Sequence, residues 1–165
     1  MRFHDLYECW FYGVKWFLNN KSVSARCLSR GLMEVPRDIP IQTYIHDLQD
    51  NNLQHIKPRS FAQLRQLFRL ILCGTNLTRL NANMFDGLTN LRHLTLTQNR
   101  IESLEDDAFA TLSRLKFLGL HTNKINKVNP NAFRGLAKLE MLGLASNKIW
   151  SIERNAIRNI QTLIR

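Results

Sequence analysis

The sequence lacks the features that define several classes of protein. No run of about 18 apolar residues occurs in the 165-residue chain, so no transmembrane helix is predicted. Cysteine is scarce, and because the three cysteines are an odd number, at least one stays unpaired or bonds outside the chain. No pair of them has the C-x-x-C spacing of a structural zinc site.

Catalytic and cofactor-binding motifs are also missing. The chain has no glycine-rich phosphate loop, no G-x-S-x-G element and no nucleophile–base set. The histidines His46, His55, His93 and His121 are scattered and suggest no metal site. The sequence therefore predicts a protein that is not an enzyme and that uses neither a cofactor nor a metal.

Acidic residues are the scarce charge. Asp and Glu number 13 against 23 Lys and Arg, a formal net charge of +10. Such an excess favours an anionic partner, which leaves nucleic acid, a sulfated glycan and an anionic membrane as alternatives. Because no RRM, KH or zinc-finger pattern is present, a nucleic-acid interpretation rests on charge alone, and no specific nucleic acid is expected.

What the sequence does contain is an internal repeat. Leu91, Leu115, Leu139 and Leu163 are spaced 24 residues apart. The other recurring positions are Leu94, Leu118 and Leu142; Leu96, Leu120 and Leu144; Asn99, Asn123 and Asn147; Ile101, Ile125 and Ile149; and the pairs Ala108-Phe109, Ala132-Phe133 and Ala156-Ile157. The pattern L-x-x-L-x-L-x-x-N-x-I, followed by A-F-x-x-L, is the signature of a leucine-rich repeat.

The repeat predicts an α/β solenoid, a leucine-rich-repeat horseshoe with a parallel concave sheet. Leu94 and Leu96 have the period of a strand and point inward, while Thr95 points outward. The return segments around 105–114 and 129–138 are expected to be irregular or short-helical on the convex side. At the turn after each strand, an inward Asn amide can pair with backbone groups that have left the ladder. A binding role for these asparagines is the alternative.

Two earlier repeats and a cap precede Leu91. Subtracting 24 from the positions of the repeat that begins at Leu91 gives a good repeat with Thr75 at the asparagine position. Subtracting 24 again gives a poorer repeat with Thr43 and His46 where leucine is expected. The domains predicted are an unassigned segment at 1–22, a degenerate N-terminal cap at 23–42 and about five repeats at 43–165, with no C-terminal cap. The N-terminal segment makes a poor signal peptide, so the chain is interpreted as a fragment.

The entry V-S-A-R-C-L-S-R-G-L-M-E-V-P-R-D-I-P resembles the N-terminal cap of extracellular leucine-rich-repeat proteins. Such a cap normally holds four cysteines, whereas only Cys9 and Cys27 occur in this part of the chain. A Cys9–Cys27 disulfide and two unpaired thiols are therefore both alternatives. The repeats are similar to those of Slit proteins, of receptors that combine them with immunoglobulin domains, and of the N-terminal part of peroxidasins.

Outward strand positions predict a protein-binding surface on the concave face. Glycines at 119 and 143 are expected to leave a hollow beside two exposed apolar residues, rimmed by basic ones. The predicted surface consists of Arg69, Ile71, His93, Thr95, Phe117, His121 and Met141. An ordinary solvated sheet is the alternative.

A second surface follows the same period. Arg100, Lys124 and Lys148 directly follow the asparagines, and stacked repeats would bring these like charges within roughly 5 Å unless an anion lies alongside. They form a candidate heparan sulfate strip, with an ordinary basic edge as the alternative. Asn20 and Asn76 begin N-glycosylation sequons.

The resemblance implies a non-catalytic protein-binding module of a secreted or cell-surface protein. Its partner would be a protein ligand or receptor, with heparan sulfate as a further candidate, and any membrane attachment would lie outside this chain. The alternatives are the recognition part of a larger peroxidasin-like matrix enzyme and a glycosaminoglycan-binding matrix protein.

Overall fold

A computed structural model of the protein describes residues 10–14, 22–153 and 156–157. The described strands are β1 Trp10–Val14, β2 Ser22–Arg26, β3 Thr43–Asp47, β4 Arg69–Ile71, β5 Arg79–Leu80, β6 His93–Thr95, β7 Ser103–Leu104, β8 Phe117–Gly119, β9 Lys127–Val128, β10 Met141–Gly143 and β11 Ser151–Ile152. The main element is a seven-stranded sheet in the order β1-β2-β3-β4-β6-β8-β10, in which every pairing is parallel except β1 with β2.

The register of the sheet follows the repeat. Leu70 pairs with Leu94, Leu94 with Leu118 and Leu118 with Leu142. Leu94 and Leu96 are fully buried, whereas Thr95 is half-buried on the open face. The predicted horseshoe with a parallel concave sheet is confirmed. The strands β4, β6, β8 and β10 each begin one residue before the leucines that pair in this register.

The convex side is built from turns and two small sheets. Strand β5 pairs with β7, and β9 pairs with β11. The segments around 105–114 and 129–138 are successive turns, and no helix occurs among the described residues. Of the two conformations expected, irregular or short-helical, these segments adopt the irregular one. Inside them Phe85, Phe109 and Phe133 stack with ring centroids 6.0 and 6.3 Å apart. This buried column fills the space between sheet and turns.

The N-terminal segment extends the sheet. Strand β2 pairs with the first repeat, and β1 adds an antiparallel edge strand within the region that the sequence left unassigned. Pairing of this kind depends on a distant strand and carries no local pattern. Cys27 is fully buried and disulfide-bonded, whereas Cys9 and Asn20 lie outside the described residues.

The imperfect first repeat keeps the inward geometry of the others. Thr43 and His46 are fully buried although leucine is expected at both positions. Burial weakens at the other end, where Leu142 and Leu144 are only half-buried and Trp150 is 75% exposed. No helix among the described residues is long and apolar enough to cross a membrane.

Candidate functional site

The asparagine column is structural. The Asn99 carboxamide oxygen accepts hydrogen bonds from the backbone N–H groups of Thr75 and Leu77, both at 3.0 Å. Its Nδ2 donates to the carbonyls of Leu72 at 2.7 Å and Leu96 at 3.0 Å. Each asparagine therefore ties its own turn to the preceding one, and this geometry supports the structural interpretation over a binding role.

The predicted concave residues lie together on one face. In the sheet Arg69 pairs with His93, His93 with Phe117, and Phe117 with Met141, so these four residues form one row across the strands. Arg69 and Met141 are exposed, and the two rings between them are half-buried. The remaining predicted residues, Ile71, Thr95 and His121, are half-buried on the same face.

The hollow expected at the two glycines is filled by neighbouring rings. A Cβ added at Gly143 would overlap the imidazole of His121, and one added at Gly119 would lie 3.2 Å from the ring of Phe117. The expectation of an open hollow is therefore wrong. The glycines provide room for the rings of Phe117 and His121 on the open face of the sheet, so the surface has a ridge where a pocket was expected.

Two aromatic residues missed by the sequence prediction continue that ridge. Tyr44 stacks on Phe68 with centroids 4.8 Å apart and planes 11° apart. Phe68 lies 5.1 Å from His93, which lies 6.2 Å from Phe117. We call Tyr44, Phe68, His93, Phe117 and Met141 the aromatic ridge. The spacing of 24 residues between Tyr44 and Phe68, directly after the first inward position of the repeat, was the available signal.

The electrostatic field at the ridge is positive. Burial, followed by the charges of Arg69, Lys116 and Arg92, lowers the pKa of His93, and Glu140 only partly opposes them. Lys116 forms an ion pair with Glu140. Arg69 and Arg92 have no carboxylate partner within the described ranges. The ridge therefore carries two uncompensated guanidinium groups and a neutral imidazole.

The predicted basic strip also lies in register. The backbone N–H groups of Arg100, Lys124 and Lys148 donate to carbonyls of the preceding repeat, at 2.8, 2.9 and 2.9 Å, which sets the three residues in one column. All three side chains are exposed and, across the residues that the structure covers, none forms an ion pair.

The predicted glycosylation site Asn76 and the thiol of Cys73, which was not a predicted site residue, lie apart from each other. Asn76 heads the column of the strip, is half-buried, and donates from its Nδ2 to Asn52 at 3.2 Å. Its backbone is left-handed, with φ of 61°. Cys73 is a free thiol on the concave face, and burial raises its pKa. Within the described segments, no cluster of His, Cys, Asp and Glu could hold a metal.

Comparisons with known proteins agree with this architecture. The chain is 43% identical over 51 residues to leucine-rich repeat-containing protein 3 of Bos taurus, covering 31% of this chain and 20% of that protein. It is 43% identical over 47 residues to decorin of Bos taurus, covering 28% of this chain and 13% of that protein. The crystal structure of a TLR13–ssRNA13 complex superposes with a TM-score of 0.71 at 30% identity, over 74% of this chain and 17% of that one.

The chain thus spans a fifth or less of the length of each of these relatives. The family pattern described as Leucine rich repeat matches residues 46–101 and 89–149, which together cover more than half of the 165 residues. The buried leucines, the asparagine ladder and the parallel register explain that match physically. The chain belongs to the leucine-rich-repeat family.

Proposed function

We propose that the chain is a non-catalytic recognition module of a secreted or cell-surface protein, and that it binds a protein ligand on its concave face. The observation that carries the proposal is the aromatic ridge, a continuous row of four partly exposed rings that ends at Met141, so that the five side chains together span five adjacent strands. Large amphipathic side chains on a rigid sheet lose little conformational entropy on binding, and they dominate the energetics of protein interfaces.

The secreted or cell-surface location rests on two features. Cys27 is disulfide-bonded, and such bonds persist in oxidising compartments and are rare in the cytosol. The cap sequence between Val23 and Pro40 resembles that of extracellular members of the family. Asn76 is a partly exposed sequon asparagine, and its glycosylation would accompany secretion.

The test of protein binding is a selection from a displayed library of extracellular protein domains. Each binder is then measured against Phe117→Ala and against the matched control Trp150→Ala. The control removes an aromatic ring that is 75% exposed and lies outside the concave sheet. Phe117→Ala removes an interface anchor and should weaken binding by about 2 kcal/mol or more. The control Trp150→Ala should bind as tightly as the parent does. Binders that respond only to the control would overturn the proposal.

A second candidate function is binding of a sulfated glycan, and the basic strip favours it. Three aligned cations with no acidic partner among the described residues repel one another, and a polyanion lying along the column would relieve that repulsion. Replacing Arg100, Lys124 and Lys148 with glutamine should lower the salt concentration that elutes the protein from heparin and flatten the salt dependence.

The matched control for the strip has the same change of charge elsewhere. Arg65, Arg114 and Lys138 are exposed residues outside the strip, and their replacement with glutamine removes three positive charges as well. If both triple variants elute alike, the attraction comes from net charge and the strip has no separate role.

A further inference from the structure

We propose that the ligand segment bound by the concave face is acidic, carries apolar side chains, and lies across the strands along the aromatic ridge. This inference rests on the proposed function and adds the chemistry of the partner. It follows from the orientation of the rings, from the charges beside them and from the length of the ridge.

The rings of the ridge offer their edges to a ligand. The ring planes of Tyr44 and Phe68 are nearly parallel, with an angle of 11° between them, and the two rings stack face to face along the sheet. Phe68 and His93 continue the row at 5.1 Å. Because side chains stand roughly perpendicular to a sheet, we infer that the stacked faces of Tyr44 and Phe68 cover each other and that their edges are turned toward a ligand, whereas His93 is tilted by 47° from Phe68 and by 32° from Phe117. Aromatic edges are electropositive, so they attract carboxylate and carbonyl oxygens.

The same stacking opposes binding of nucleobases. A single-stranded nucleic acid binds to a sheet by stacking its bases on open aromatic faces. Here Phe68 is stacked on Tyr44 with centroids 4.8 Å apart, and His93 lies between Phe68 and Phe117 at 5.1 and 6.2 Å with its plane tilted by 47° and 32°, so neighbouring rings restrict the access of a base to these faces. A protein segment whose own apolar side chains pack between the ring edges does not need those faces.

The charges beside the ridge indicate that the ligand segment is negatively charged. Arg69 is exposed on β4, and Arg92, half-buried, directly precedes β6. Neither pairs with a carboxylate in the part of the chain that the structure describes. Lys116 is already neutralised by Glu140. Two guanidinium groups therefore remain for carboxylates of the ligand, which they can bind in a bidentate manner.

The dimensions fit a short extended segment. The ridge crosses five adjacent strands, so four spacings of ~4.8 Å make it ~19 Å long, the reach of about six extended residues. At its N-terminal end a cleft of about 390 Å³ is lined by Tyr44, Gln66, Phe68, Asn90 and Arg92. An apolar side chain entering this cleft would contact two rings and would place its neighbouring carboxylate close to Arg92.

The test is a selection of random displayed peptides on the immobilised chain, followed by affinity measurements on synthetic copies. The expected peptides combine Asp or Glu with Phe, Leu or Trp. The double variant Arg69→Glu/Arg92→Glu should bind them at least about tenfold more weakly, as expected when a bound charge pair becomes repulsive. The matched control Arg100→Glu/Lys124→Glu makes the same change of charge on the basic strip and should leave their affinity within about twofold.

Each other outcome overturns a defined part of the argument. Peptides that depend on Phe117 but show no acidic bias would overturn this inference and leave the proposed function standing. Peptides that bind regardless of Phe117→Ala and of the double charge reversal would remove the proposed concave site as well. An oligo(U) probe that competes with the peptides and binds more tightly would assign the ridge to nucleic acid. If the charge-reversal variant does not fold, Arg69→Gln/Arg92→Gln replaces it, with the same expected direction.

Discussion

The most specific prediction concerns His46, the histidine that replaces an inward leucine in the first repeat. Its ring is fully buried, and its Nδ1–H donates to the carbonyl of Ala25 at 3.2 Å. Its Nε2 has no hydrogen-bond partner among the described residues, and the ring meets that of Phe61 edge-on at 6.4 Å. Burial lowers its pKa to about 4, although the hydrogen bond to Ala25 opposes the shift.

The sign of the effect follows from that shift. In the unfolded chain the pKa of histidine is about 6.5, so the unfolded state takes up the proton first as the pH falls. His46 therefore contributes no penalty above about pH 6.5, and stability is lost as the pH decreases from there toward 4. A difference of about 2.5 units corresponds to about 3 kcal/mol at the acid end and to about 2 kcal/mol at pH 5.

The assay is urea unfolding followed by circular dichroism at pH 7.5, 6 and 5, applied to the parent and to His46→Leu. Carboxylates titrate in both proteins, so the difference between their pH profiles isolates His46. We expect the parent to lose about 2 kcal/mol more than the variant between pH 7.5 and 5. The control His55→Gln changes an exposed histidine of the same repeat and should leave the profile unchanged.

The place in the fold where stability is lost at low pH provides a second check. Stability in repeat proteins is transmitted between neighbouring repeats, so amide exchange at low pH should accelerate first in β3, which contains His46. Parallel pH profiles for the parent and His46→Leu would refute the reasoning, because they would mean that the pKa of His46 is the same in the folded and unfolded states. Equal acceleration in β3 and β8 would refute its local origin.

Three further predictions follow from the repeat geometry. Asn123→Ala removes a donor to the carbonyls of Leu96 and Leu120, so it should cost about 1–3 kcal/mol in urea unfolding; an unchanged midpoint would contradict the ladder argument. Gly135→Ala places a Cβ 2.5 Å from the carbonyl oxygen of Ala110 at φ of 90°, and it should destabilise the protein far more than Gly143→Ala, which displaces only a side chain. Amides of β8, in the centre of the stack, should exchange more slowly than those of β11, where Ile152 is 48% exposed.

The sequence predicted the interior of the protein well because the inward positions repeat. Each repeat packs its leucines against those of the next, fully buried except at Leu142 and Leu144 near the C-terminal end, so one period determines side-chain direction for the stack. Phe61, Phe85, Phe109 and Phe133 occupy one column for the same reason, and all four are buried. Thr75 and His46 depart from the consensus yet keep their inward places, since the neighbouring repeats determine the backbone path.

The concave surface was predicted less well because its outward side chains, unlike those of the basic strip, do not repeat. The conformation of each depends on the residue facing it in the adjacent strand. The ring of His121 covers Gly143 because the glycine has no side chain to exclude it. When each sequence position is considered separately, the same glycine predicts an empty space. Tyr44 and Phe68 were missed because the next residue in their column is Arg92, so the aromatic series ends after two members.

The change of column explains why the ridge is specific to this chain. From Phe68 the row of rings passes to His93, which belongs to the neighbouring column, and continues there through Phe117 to Met141. Arg92 and Lys116 occupy the positions that the aromatic series vacates, so cations lie directly beside the rings. Lys116 is held by Glu140, so the cations beside the ridge that have no carboxylate partner among the described residues are Arg69 and Arg92, at its N-terminal half. An acidic ligand segment should accordingly orient with its carboxylates toward Arg69 and Arg92 and its apolar side chains toward Phe117 and Met141.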